Sequence, residues 1–257
     1  ELNHQLEKAG IEKGIVLHLE AQPWPLSAVA EAVSEHERLY WFANVHPEDP
    51  NAQSTLKFAR ETLGCIGLKL HPRLQRFDVD AESTVRLTQT AGSLGIPVLV
   101  DAFPDGDALL SGFHPRRFFD LAIRCPETRI ILAHFGGHHV IDFMMTAKRV
   151  PNVYFDISYS LLYYRTSAVI QNILYSMSSM RYNRIFYGSD YPDRSISESL
   201  SSSLQILNEG IPDSNARHQI LYQKIWSWYR GKSITPQITN IQTSLPNFNN
   251  SSSFSQT

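Results

Sequence analysis

The sequence lacks any run of roughly 18 apolar residues, so no stretch reads as a transmembrane helix. It also lacks a basic excess. Lys and Arg number 23 against 25 Asp and Glu, a formal net charge of -2, which speaks against a nucleic-acid partner. Only two cysteines occur, Cys65 and Cys125, too few for a disulfide framework and without CxxC spacing for zinc. A reducing, cytoplasmic compartment is the simplest reading. No signal-peptide pattern opens the chain. Residue 1 is Glu, and residues 2–10 read as the second half of a helix, so the chain is expected to lack its native start. Several catalytic templates are missing as well. There is no GxGxxG turn, GxSxG elbow, P-loop, HExxH or catalytic-cysteine signature.

What the chain does have is ordinary globular material. Its 257 residues are 42% hydrophobic and 19% charged, enough for a sizeable core. Short β-branched and aliphatic runs recur at residues 14–19, 41–46, 66–71, 97–102, 129–134, 152–158 and 184–190. Most lack polar alternation, as expected of parallel strands covered on both faces. Segments with helical periodicity lie between them, at 26–39, 52–63, 85–94, 118–124, 140–149 and 168–180. Gly64, Gly95, Pro126 and Pro151 punctuate their ends. Strand starts fall about 23 to 32 residues apart, the spacing of βα units. Two further helices are expected at 197–209 and 213–229.

Seven such units point to a parallel α/β architecture, either a (β/α)8 TIM barrel or an open doubly wound sheet. Residues with catalytic chemistry recur where strands end: His18, His46, Lys69, His71, Asp101, His134, Asp156 and Asp190. A barrel builds its site from many strand ends, whereas an open sheet concentrates it at one switch point. The pattern therefore favours the barrel, one strand short of eight. A first strand preceding residue 1 would account for the shortfall. The barrel domain is expected over residues 1–232. Residues 233–257 carry no charge and are rich in Ser, Asn, Gln and Thr, which reads as a disordered tail.

Four strand-end motifs carry a resemblance when taken in order. They are Gly67-Leu-Lys-Leu-His71-Pro72, Ile131-Leu-Ala-His134-Phe-Gly136-Gly137, Asn152-Val-Tyr-Phe-Asp-Ile-Ser158 and Arg184-Ile-Phe-Tyr-Gly188-Ser189-Asp190-Tyr-Pro192. Over roughly residues 2–230 the chain resembles the amidohydrolase-related family of metal-dependent TIM-barrel hydrolases. That group includes decarboxylases similar to aminocarboxymuconate semialdehyde decarboxylase. The resemblance implies a divalent metal, often zinc, at the C-terminal mouth of the barrel. It carries metal-ligand roles to Asp190 and His134. The HxH pair of the family's first strand has no counterpart in this sequence. Where similar proteins place a ligating His on strand 5, the chain has Asp101, and a carboxylate can also ligate zinc or manganese.

In that setting Asp190 would be metal ligand and general base, against a bland reading as a capping residue. His134 would bind metal or polarise a carbonyl, against a buried, structurally bonded imidazole. Lys69 and His71 share one face of a strand and would bind substrate, against a loop start and a structural ion pair. Asp101 either replaces the His ligand or pairs with Lys69. Arg73 would bind an anionic substrate or face solvent. His18, His46 and Asp156 read as structural, and His138 and His139 as exposed at a helix start. The leading expectation is a metal-dependent hydrolase attacking a small-molecule amide, lactone or similar carbonyl. A non-oxidative decarboxylase and a non-catalytic barrel are the alternatives. The partner is a small-molecule substrate, with neither nucleic acid nor membrane, and the family resemblance allows a homo-oligomer.

Overall fold

A computed structural model describes residues 1–19, 24–222 and 228. The tail expected over 233–257 and the far end of the helix expected over 213–229 lie outside these residues, as does the boundary between domain and tail.

Seven strands alternate with helices. They are β1 (Gly14–Leu17), β2 (Leu39–Asn44), β3 (Gly67–Leu70), β4 (Val98–Val100), β5 (Ile130–Leu132), β6 (Val153–Asp156) and β7 (Ile185–Phe186). Each pairs in parallel with the next, so spatial order follows chain order. A doubly wound sheet would reverse direction at a switch point. The unbroken order is that of a TIM barrel, and the curled sheet supplies seven of its strands. Among the described residues no ladder joins β7 to β1.

Two apolar layers hold this sheet. The larger lies between strands and surrounding helices and includes Leu68, Val98, Val100, Leu132, Val153 and Phe155. The smaller lies on the inner, concave side and consists of Phe42, Ile66, Leu99, Ile131, Ala133 and Phe186, with Leu17 and Tyr154 against it. Burying each large side chain contributes about 1.5–3 kcal/mol. Gly67 leaves room for this inner layer: a Cβ there would lie 2.5 Å from the Phe42 ring. Trp228 closes against the same layer, with its ring 4.9 Å from Tyr154 and 5.4 Å from Phe186.

Side chains two residues apart on a strand share a face. Following the inner face toward the C-terminal ends, Phe42 leads to Asn44, Leu99 to Asp101, Tyr154 to Asp156 and Ser158, and Phe186 to Gly188 and Asp190. Gly67 leads likewise to Lys69 and His71. An apolar floor thus carries a polar layer at the mouth, and alternation places the members that lie on or next to the ladders.

The helices match the expected periods, with one correction. The segment expected over 26–39 is helical only over Leu26–Ser34, and Leu39 opens β2. Leu39 pairs in register with Gly14, so tertiary pairing overrides its helical spacing. Cys65 and Cys125 are both buried and free. Among the described residues no helix is long and apolar enough to cross a membrane.

Candidate active site

The polar layer is organised around His134. The chain leaves β5 at Leu132 and passes through residues with left-handed backbone: His134 at φ 62°, Phe135 at 50° and Gly136 at 69°. Left-handed geometry costs roughly 1–2 kcal/mol for each residue bearing a Cβ. Packing and hydrogen bonds hold it here. Phe135 is fully buried and lies 4.5 Å from Phe155. Ser160 Oγ donates to the His134 carbonyl at 2.6 Å. A Cβ at Gly136 would strike the Phe143 ring at 2.2 Å, so a glycine is required on steric grounds too.

Both ring nitrogens of His134 are engaged. Nδ1 donates to the Ser158 carbonyl at 3.0 Å, and Nε2 meets Asp101 Oδ2 at 3.0 Å. Burial alone would lower the His134 pKa. The hydrogen bond and charge of Asp101, with the charges of Asp156 and Asp190, outweigh burial and raise it to about 9. Burial pushes the Asp101 carboxyl up, but His134, Lys69 and His71 more than reverse that, and it ends well below the usual range. At neutral pH the pair is an imidazolium and a carboxylate. Asp101 therefore pairs with His134; the expected Asp101–Lys69 pair does not form, because the imidazole reaches the carboxylate and Lys69 stays outside ion-pair distance.

His71 also faces Asp101, at 3.5 Å. Burial first, with the nearby cations, lowers its pKa to about 4, although Asp101 opposes this. Neutral His71 is a dipolar neighbour here rather than an ionic one. Its Nδ1 accepts from the Leu74 amide at 3.4 Å, which leaves Nε2–H to face the carboxylate.

Lys69 is buried at 4% exposure. Burial lowers its pKa against the opposing charges of Asp101, Asp156 and Asp190. The turn around it is braced by Asn44, which donates to the Lys69 carbonyl at 2.8 Å and to Gln75 Oε1 at 3.1 Å. Gln75 Oε1 also accepts from the His71 amide at 2.8 Å. His46 donates from Nε2 to the Gln75 carbonyl at 2.8 Å and accepts at Nδ1 from Glu48. Its ring is spent on holding the same loop.

Asp190 sits at the rim with a left-handed backbone, φ 55°. Its surface is open to solvent, yet protein crowds the carboxyl from below. Burial and the charges of Asp156 and Asp193 raise its pKa, against His134 and Lys69. Arg73 bears on His71 through its charge, while its Nε is 2.8 Å from Asp105 Oδ2 in a partly exposed pair. His138 is exposed, and His139 stacks on Phe113 at 5.7 Å.

The structure thus brings Lys69, His71, Asp101, His134 and Asp190 to one mouth, with Arg73 beside His71 and paired to Asp105. Three participants escaped the sequence reading. Ser158 accepts from His134 and donates to Asp156, while Asp156 itself faces the buried cations. The inward alternation Tyr154, Asp156, Ser158 was the available signal. The third is an aromatic wall: Phe103 and Tyr159 each stand edge-on to His134 at 5.9 Å, and 5.0 Å from one another. Nothing in the loop sequence marks that convergence.

The metal implied by the resemblance was tested against these side chains. Asp101 Oδ2 and His134 Nε2 are adjacent ligand atoms, but each is satisfied by the other. Among the described residues no group of three or more His, Cys, Asp and Glu is arranged to hold a metal ion, so Asp190, His134 and Asp101 are not gathered into one. The described residues by themselves do not fit a metal.

The sequence matches the family described as Amidohydrolase over residues 21–223. No curated protein matches it. Solved structures do. An uncharacterized TIM-barrel protein from Bordetella bronchiseptica is 18% identical with a TM-score of 0.70, over 86% of this chain and 78% of its own. A probable 2-pyrone-4,6-dicarboxylic acid hydrolase from Acinetobacter baumannii, with citric acid bound, is 16% identical with a TM-score of 0.63, over 86% and 85%. A 2,6-dihydroxybenzoate decarboxylase from Rhizobium is 17% identical with a TM-score of 0.59, over 85% and 84%. At these identities the likeness is one of fold.

Proposed function

Because the chain belongs to the amidohydrolase family, we propose that it is a hydrolase of a small uncharged lactone, amide or similar carbonyl compound. The observation that carries this reading is the pairing at one mouth of a carboxylate with a raised pKa and a buried imidazolium. Titratable neighbours driven to opposite tasks are how one site runs acid and base chemistry together.

Asp190 is the general base. Its raised pKa makes it the stronger proton acceptor of the rim, and its open face admits water. His134 is the electrophile. With both N–H groups given to Asp101 and the Ser158 carbonyl, the imidazolium acts through its charge on a carbonyl oxygen that gains charge as water attacks. Asp101 and the Ser158 carbonyl fix the ring's orientation and keep it protonated. Lys69 and His71 line the floor of the mouth. Three carboxylates, Asp101, Asp156 and Asp190, outnumber the cation His134, and would do so even with Lys69 protonated. That balance repels an acid substrate and favours a neutral carbonyl over the carboxylate a decarboxylase requires. Arg73, committed to Asp105, is not placed to change that balance. Family members are generally metal-dependent.

The pH–rate profile tests the reading on a panel of uncharged lactones and amides together with 2-pyrone-4,6-dicarboxylate. Activity needs Asp190 ionised and His134 protonated. kcat/KM should rise as pH climbs through a carboxyl pKa above the ordinary range, and fall again above about 9. A rate still climbing beyond pH 10 would exclude the imidazolium from the mechanism.

A further inference from the structure

Lys69 is a buried polar group to which the hydrolytic reading gives no chemical step. Among the described residues its ammonium nitrogen makes neither a hydrogen bond nor an ion pair, although the side chain is only 4% exposed. Such a group requires an explanation, since burying an unpaired cation is costly. In register beside it on β2 is Asn44, whose Oδ1 is likewise buried without a partner. A buried lysine and an unpartnered acceptor therefore sit side by side in the polar layer at the mouth. Around Lys69 stand three carboxylates on three other strand ends: Asp101 after β4, Asp156 on β6 and Asp190 after β7. Each acts on it through charge rather than contact.

We propose that Lys69 is a nucleophilic amine that condenses with a small uncharged aldehyde or ketone to form an iminium. The lone pair of Nζ attacks the carbonyl carbon, and the C=O π pair moves to oxygen, which takes up a proton. The carbinolamine then loses a proton from nitrogen and its hydroxyl, protonated, as water, and the nitrogen lone pair closes the C=N bond. Asn44 Oδ1 is an acceptor for the hydroxyl formed on the way. Reactants without charge become a cation, and the three carboxylates favour that change in charge. An iminium next to a carbon acid or a C–C bond is an electron sink, so the site would activate carbonyl compounds by enamine formation, independently of Asp190 as hydrolytic base.

Burial keeps the amine available, because it lowers the Lys69 pKa despite the three acids. The rival account is a lysine that merely balances their charge. In that case it stays protonated and inert.

The two accounts separate when the full chain is treated at pH 7 with acetone and cyanoborohydride, which reduces any iminium to isopropyl-lysine. Peptide mass mapping reads each lysine. Exposed Lys57 and Lys148 are the internal references. Lys69 is expected to label several-fold faster than either, because its lowered pKa leaves more of it as free amine, and to lose that advantage in urea. Labelling of Lys69 no faster than Lys57 in the native chain overturns the assignment, whether the cause is charge or lack of access.

Discussion

Replacing Asp190 with asparagine is expected to lower kcat by about 10²–10⁴-fold, the usual contribution of a positioned base. The substitution keeps shape and removes the proton acceptor. It should leave the fold intact, because the residue is exposed and makes no side-chain ion pair. The sign of the stability effect follows from the pKa. A carboxyl raised on folding is less content ionised in the native state than in the unfolded one. Neutral asparagine relieves that repulsion, so the melting temperature should stay level or rise slightly. Loss of turnover with an unchanged melt is the signature of a functional carboxylate. Full turnover in Asp190→Asn would remove Asp190 from the mechanism.

Asp101→Asn is expected to have the largest effect on stability. His134 would lose the partner that keeps it charged, and its pKa should fall from about 9 toward or below its ordinary value. Breaking a buried pair by removing one member costs about 3–5 kcal/mol. The linkage gives the pH window. A histidine whose pKa is raised on folding adds stability that is complete below about 6.5 and is lost as pH rises through about 9. The wild-type advantage over Asp101→Asn should therefore be greatest near pH 6 and shrink toward pH 9.5. Urea unfolding at the two pH values measures it. The alkaline limb of the activity profile should shift to lower pH in the same variant. A stability difference that does not change with pH would mean that His134 is not charged by Asp101.

The architecture was legible because the βα rhythm repeats. Each expected strand contains or overlaps an observed one, yet all but β2 are shorter than expected. The run over 129–134 shrinks to Ile130–Leu132, and the run over 184–190 to Ile185–Phe186. The reason lies in the backbone: His134 and Asp190 are left-handed, and such residues cannot continue a strand. The residues with chemistry stand just past the ladders. Spacing therefore found them, while their partners were harder to read. A strand-end Asp paired with Lys69 or bound to a metal looks the same in sequence as one paired with His134. Which of these forms depends on the turn after β5, a tertiary matter. Asp156 read as structural because its equivalent in the family motif is a strand residue rather than a ligand, but alternation turns it inward toward the cations. Arg73 read as an anion binder or a solvent-facing residue, and Asp105, on the loop after β4, claims it.

Hydrolysis at this mouth is tested most directly by turnover in water labelled with oxygen-18. The substrates would be uncharged lactones and amides, with 2-pyrone-4,6-dicarboxylate alongside, and both products and released carbon dioxide would be followed. The account expects one labelled oxygen in the acid produced, faster reaction of the uncharged compounds, and no carbon dioxide. Release of carbon dioxide without incorporation of label would contradict it and assign the site to decarboxylation.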